Sequence, residues 1–113
     1  MVILGIDPGI AIVGWGVLRY DGRQFTPLAY GSIQTKAKEK TEERLLQIHE
    51  ALGQILDKYH PDAMCVEELF WNTNQKTGII VAEARGVILM TARQRGIPIS
   101  EYTPLQVKQS IVG

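Results

Sequence analysis

Met1-Val2-Ile3-Leu4-Gly5-Ile6-Asp7-Pro8-Gly9 opens the chain, an almost unbroken apolar run that ends in one carboxylate and then a turn. Residues 2–6 lack polar alternation and read as a strand covered on both faces. Pro8-Gly9 suits the two central positions of a tight turn, with proline fixing φ and glycine accepting φ > 0. Asp7 therefore sits at the mouth of a core strand, where an unpaired charge costs several kcal/mol, roughly. Two readings follow. Asp7 meets a cation, a basic partner or a catalytic task there, or it is a turn-initiating residue that caps its own backbone.

The rest of the chain extends this opening into a mixed sheet. Residues 10–20 read as a second strand, with Gly14 and Gly16 flanking Trp15. Asp21-Gly22 is a hairpin signal, and residues 24–34 make a third strand. Thr41-Glu42-Glu43 starts a helix, with Thr41 as the cap and acids in the first turn. Leu45, Ile48, Leu52, Ile55, Leu56 and Tyr59 follow at helical spacing until Pro61 enforces a stop. Residues 62–69 are strand-like, and residues 70–75 read as a loop. Residues 76–95 form a long helix ending before Gly96. Residues 97–101 are a short strand, and Thr103-Pro104 starts a last helix. The order βββαβαβα describes an α/β fold with an antiparallel opening and helical crossovers afterwards.

Composition narrows the class. The chain has 113 residues, which fits one domain over 1–113, and its 45% apolar content suits a globular core. No apolar run is long enough to span a bilayer, and no basic n-region or small-residue cleavage site marks a signal peptide. A single cysteine, Cys65, excludes an internal disulfide framework. These features point to a cytoplasmic protein. Twelve basic and twelve acidic residues leave no global footprint for nucleic acid. Local candidates are Lys36, Lys38 and Lys40, and Arg85, Arg93 and Arg95; their alternative is a set of solvated faces.

Glu67, followed by Glu68, is the second unusual carboxylate. Strand alternation puts Glu67 on the face of Ala63 and Cys65, with Glu68 on the other. If this strand lies beside the first, Asp7 and Glu67 converge at strand ends, where open α/β sheets form their sites. Two close carboxylates repel and call for a cation between them. An oxygen-only ligand set suits Mg²⁺ or Mn²⁺ rather than zinc. His49 and His60 have no partner ligand at suitable spacing, His60 suits a helix C-terminus, and Cys65 reads as a small buried hydrophobe. Paired acidic strand ends are the apparatus of phosphodiester cleavage. Two carboxylates are a thin set for two metals, so the site looks incomplete. Phe70-Trp71 follows directly, suited to stacking on a base, or else to folding back into the core.

Taken in order, these residues resemble the RuvC family of Holliday-junction resolvases, the crossover junction endodeoxyribonucleases. The resemblance runs over essentially the whole chain. It rests on Leu4-Gly5-Ile6-Asp7-Pro8-Gly9, Gly14-Trp15-Gly16-Val17, Val66-Glu67-Glu68-Leu69-Phe70, Asn74, Ala84-Arg85-Gly86, Tyr102, Gln106-Val107-Lys108-Gln109 and Val112-Gly113. It implies a ribonuclease H-like fold with a mixed five-stranded sheet. It implies a homodimer that nicks opposed strands of a four-way DNA junction and works with a branch-migration helicase complex. Asp7 and Glu67 are then metal ligands, Phe70 stacks at the opened junction, and Lys108 lies near the scissile phosphate. Asn74 and Arg85 join them in contacting DNA. Gly78, Ala82, Gly86 and Met90, on one face of the long helix, suit a two-fold interface. The family carries two further metal-binding aspartates near its C-terminus, after another basic segment. The chain thus corresponds to the N-terminal two-thirds of a resolvase, with a nuclease domain incomplete at its C-terminus and inactive alone. Glu68 departs from the family pattern.

Two other classes fit parts of the same pattern. A nucleotide-binding module of the actin and sugar-kinase type also begins with strand, Asp, turn and hairpin. Here, however, Gly9-Ile10-Ala11 replaces the hydroxyl-rich tip that cradles phosphate. A non-catalytic DNA-binding or dimerisation module is the other.

Overall fold

A computed structural model describes residues 1–68 and 75–102. Three strands open it: β1 (Val2–Asp7), β2 (Ile12–Tyr20) and β3 (Phe25–Gln34). Helix α1 (Thr41–Tyr59), strand β4 (Ala63–Glu67), helix α2 (Gln75–Gln94) and strand β5 (Ile99–Tyr102) follow. The sheet order is β3-β2-β1-β4-β5. The β1–β2 and β2–β3 pairs are antiparallel, and β1–β4 and β4–β5 are parallel. This is the mixed five-stranded sheet read from the sequence. The helix expected from Thr103, and all of the expected 70–75 loop except Gln75, lie outside the described residues.

Local chemistry explains the turns. Asp21 Oδ1 accepts hydrogen bonds from the backbone N–H groups of Arg23 and Gln24, each at 2.9 Å, and Gly22 takes φ 99°. That closes the β2–β3 hairpin as Asp-Gly turns do. α1 departs from its expected cap: Lys40, not Thr41, is the N-cap, in extended backbone and with no side-chain cap bond. The Lys40 carbonyl accepts from the amides of Glu43 and Arg44, so Thr41 is already the first helical residue. At the other end His60 is left-handed, with φ 46° and its N–H bonded to Leu56 O, and Pro61 prevents continuation.

Both helices pack on one face of the sheet. Leu4 and Ile6 of β1, Val13 and Val17 of β2, Ile33 of β3, and Met64 and Val66 of β4 supply the sheet's share of the core. Ile48, Leu52 and Leu56 of α1 and Ala84, Ile88 and Ala92 of α2 cover them. The expectation that β1 is covered on both faces is thus corrected among the described residues. Leu4 and Ile6 are buried, whereas Ile3 and Gly5, pointing the other way, are half-buried and Asp7 is exposed. The missing polar alternation arises because the outer set is itself apolar or glycine.

The 7–12 connection also differs from the expected turn. Among the described residues positive φ occurs only at Gly22, His60 and Gly96, so Gly9 is not left-handed. Glycine is required there for space instead: a Cβ on Gly9 would lie 2.2 Å from the Ile12 carbonyl oxygen. The loop therefore folds back closely on the start of β2.

Leu52 is fully buried against the sheet, whereas Leu46 on the same helix is 48% exposed. Leu52→Ala is expected to destabilise the fold by about 2–5 kcal/mol, through lost transfer energy and a residual cavity. Leu46→Ala should change stability by less than about 0.5 kcal/mol. Urea unfolding of both variants checks the contrast, and equal losses would contradict this burial pattern.

Candidate functional site

The site begins at the bottom of β1. Asp62, just before β4, donates its N–H to the Val2 carbonyl at 2.8 Å and accepts the Val2 N–H on Oδ2 at 2.7 Å. This clasp precedes the parallel ladder that pairs Ile3 with Ala63 and Ile6 with Val66. One step further along both strands stand Asp7 and Glu67. Side chains alternate, so burying Leu4, Ile6, Met64 and Val66 sends Asp7 and Glu67 to the opposite face together. Asp7 is opposite Gly14 across the β1–β2 pair. Gly5, Gly14 and Gly16 lie with Asp7, Ile6 and Trp15 around a shallow trough of about 260 Å³.

The two carboxylates interact directly. Glu67 has its pKa raised above the ordinary glutamate value, first by burial, then by a hydrogen bond with Asp7 and by the Asp7 charge. The pair is most easily accommodated with a proton on Glu67. Among the described residues, no group of three or more His, Cys, Asp or Glu side chains is placed to hold a metal. The acidic set present is thus Asp7 with Glu67, while Glu68 is exposed beyond the end of β4.

The other candidates are placed elsewhere. Arg85 does not join the carboxylate pair. Its guanidinium, with 16% side-chain exposure, pairs with Glu101 at 2.8 Å. Glu101 is aligned with buried Val66, so this ion pair ties α2 to β5 on the helix-covered face. Arg95 is likewise engaged, pairing with Asp57 at 2.8 Å and holding that carboxyl below its usual range. Lys36, Lys38, Lys40 and Arg93 are exposed. Phe70, Trp71, Asn74 and Lys108 lie outside the described residues.

His49 and Cys65 have structural surroundings. His49 Nδ1 lies 2.8 Å from Thr91 Oγ1, whose hydroxyl donates to Val87 O at 2.7 Å, so the imidazole N–H is the donor that joins α1 to α2. Cys65 is half-buried, and burial pushes its thiol pKa up, away from a reactive thiolate. Sequence reading missed the Asp62 clasp. Its signal was faint: an Asp directly after the helix-stopping Pro61 reads as ordinary turn chemistry.

The strand order, the crossover helices on one face and the acidic pair at the strand ends define a ribonuclease H-like domain. Comparison with known proteins carries this further. The profile of the family described as "Crossover junction endodeoxyribonuclease RuvC" matches residues 3–113, and the chain belongs to that family. The crossover junction endodeoxyribonuclease RuvC of Brevibacillus brevis is 54% identical over 113 residues, all of this chain and 68% of that protein. Its counterpart from Alkaliphilus metalliredigens is 50% identical, again over the whole chain and 69% of the relative. The chain thus spans about two-thirds of these relatives' length. The structure of T. thermophilus RuvC in complex with Holliday junction substrate is 34% identical, with a TM-score of 0.89, covering 96% of this chain and 68% of that one.

Folding raises the Glu67 pKa, so the sign of its linkage is set. Its favourable contribution is complete below the ordinary glutamate pKa and is lost as pH rises through the raised value. In metal-free buffer at pH 7, Glu67→Gln should therefore raise Tm, by on the order of a few degrees. The gain should vanish near pH 4, where Glu67 is protonated. Thermal melts at both pH values in EDTA check this, and an equal or absent shift would contradict the carboxylate contact.

Proposed function

We propose that the protein is a structure-selective endonuclease that resolves four-way (Holliday) DNA junctions by metal-dependent phosphodiester hydrolysis. The observation that carries this reading is the meeting of Asp7 and Glu67 at the ends of adjacent parallel strands, with the Glu67 pKa raised by burial and by Asp7. Family membership supports the same reaction class and disfavours the actin and sugar-kinase type of nucleotide binding.

The residues fit a hard divalent cation. Their donors are carboxylate oxygens, and their mutual repulsion is what a cation relieves, so Mg²⁺ or Mn²⁺ is the expected cofactor. Asp7 and Glu67 would hold it. When bound, such an ion supplies water activation and charge stabilisation at the leaving oxygen. The protein's own part is positional: β1 and β4 hold two ligand oxygens at a fixed separation, and the glycines beside Asp7 leave the sheet surface open to a bulky polyanion.

Further roles rest on the family resemblance. Phe70 stacks on a base at the opened junction, and Asn74 and Lys108 contact the DNA near the cleaved strand. Arg85 is the further DNA contact that the resemblance implies, and its ion pair with Glu101 links α2 to β5. α2 presents exposed Ile79 and Met90 to either side of Gly86, where an added Cβ would meet open space. This surface supports a homodimer, whose two sites would cut two opposed strands. A branch-migration helicase complex is its expected partner, and the cytoplasm its expected location. No helix among the described residues is long and apolar enough to cross a membrane. Residues 1–113 form one ribonuclease H-like nuclease domain.

Asp7→Asn in the full-length protein should lower Mg²⁺-dependent nicking of a four-way junction by about 10²-fold or more, in line with the loss of a group that acts on the reacting centre. Junction binding in EDTA should persist. Gel assays of both properties check this. Unchanged nicking would sink the assignment. Junction binding with no nicking by the unsubstituted protein would favour the non-catalytic module.

A further inference from the structure

Arg44 occupies a place where sequence pattern predicts an apolar residue. It stands four residues before Ile48 and eight before Leu52, on the buried stripe of α1, and is itself only 7% exposed. Buried arginines ordinarily face a carboxylate, since an uncompensated buried charge is costly. All twelve acidic residues of the chain lie within the described residues, and the ion pairs found there are Arg85–Glu101 and Arg95–Asp57. Arg44 has no acidic partner.

Its hydrogen bond goes to Thr35 instead. Arg44 Nε–H donates to Thr35 Oγ1 at 3.0 Å. Thr35, 8% exposed at the end of β3, donates its hydroxyl to the Ile10 carbonyl at 2.5 Å and its N–H to the Ala11 carbonyl at 3.0 Å. One residue therefore grips two consecutive carbonyls of the loop that joins Asp7 to β2. A guanidinium is a planar donor that fixes the acceptor it binds, and here it leaves the Thr35 hydroxyl proton directed at Ile10. The other restraint on this loop is steric: Gly9 lies against the Ile12 carbonyl with no room for a Cβ.

We propose that Arg44 is a positioning residue for the acidic pair. Acting through Thr35, it locks loop 8–11 and with it the backbone from which the Asp7 carboxylate projects. The inference rests on the reading of Asp7 and Glu67 as cation ligands. A cation site built on two carboxylates depends on their separation, and groups that orient ligands from behind commonly matter 10–100-fold, roughly, in metal affinity. Asp7 is fixed on its strand side by pairing with Gly14 of β2 and by the preceding Ile6–Val66 pair with β4, but its C-terminal side leads straight into this loop. The Arg44–Thr35 contact secures that second side.

The test uses the full-length protein and three substitutions: Thr35→Val, which is nearly isosteric, Thr35→Ser, which keeps the hydroxyl, and Arg44→Lys, which keeps the charge. Two readouts are taken, amide hydrogen exchange of residues 9–12 and Mn²⁺ binding followed by electron paramagnetic resonance of the free ion. Thr35→Val and Arg44→Lys should speed exchange in the loop and weaken Mn²⁺ binding by about 10-fold, while Thr35→Ser restores both. Unchanged exchange in Thr35→Val would overturn the proposal. So would faster exchange with unchanged Mn²⁺ affinity, provided that Asp7→Asn abolishes Mn²⁺ binding. Mn²⁺ binding indifferent to Asp7→Asn would overturn the cation reading itself, and the proposal with it.

Discussion

The parallel pairing of β1 with β4 is the constraint on which the rest depends. It starts at the Asp62 clasp on Val2 and sets residue n of β1 beside residue n + 60 of β4. Leu4, Ile6, Met64 and Val66 then share the helix-covered face, and Asp7 and Glu67 must share the other. Magnitudes favour this arrangement. Each of the four apolar side chains gains about 1.5–3 kcal/mol on full burial. Two unit charges 4 Å apart repel by about 1 kcal/mol in water and about 4 kcal/mol at the effective dielectric of a protein surface. The core therefore holds together two carboxylates that would otherwise separate. A one-residue slip of β4 would remove the repulsion only by turning Met64 and Val66 outward.

The surroundings of the pair divide into a rigid back and an open front. Behind it lie the fully buried side chains of β1, β2 and β4 with α1 and α2. Beside it, the loop after Asp7 is gripped by Thr35 and closed tightly at Gly9. In front, glycines at 5, 14 and 16 keep side chains away from the sheet surface. Precision and access are thereby assigned to different residues. Strands and a packed core fix the two carboxylates, and missing side chains leave the sheet surface beside them open.

Much of this was legible in the residues, and the illegible parts have identifiable causes. The Asp-Gly hairpin, the α1 stripe ending at Pro61 and the short apolar strand before Glu67 are local signals, set by neighbours a few positions apart. The convergence of Asp7 and Glu67 followed from strand parity once the two strands were placed side by side. Burial of β1 on one face only was not legible, because Ile3 and Gly5 are as apolar in type as Leu4 and Ile6. The role of Gly9 was misread because glycine serves both for positive φ and for close approach, and composition does not separate the two. Thr41 resembled a cap, but the backbone turns helical one residue earlier. The Arg85–Glu101 pair was not legible, because Glu101 is sixteen residues away and reached only through the fold. Arg44 did leave a signal, a charged residue on an apolar stripe, whose meaning depended on Thr35 and Ile10.

The distribution of cations sharpens the meaning of the acidic pair. Arg85 and Arg95 are engaged with Glu101 and Asp57, and Arg44 is turned to Thr35. Outside residues 69–77 and 102–113, no Lys, Arg or His side chain lies within salt-bridge distance of Asp7 or Glu67. Those residues do not neutralise the pair, and two means of relief suit it. One is the proton, whose hold on Glu67 is already strengthened by burial and by Asp7. The other is a cation from solution. On the proposed reading of Asp7 and Glu67 as cation ligands, a bound cation would compete with that proton, and its affinity would rise with pH as Glu67 ionises. The repulsion that the core enforces is thus what the proposed cation would relieve.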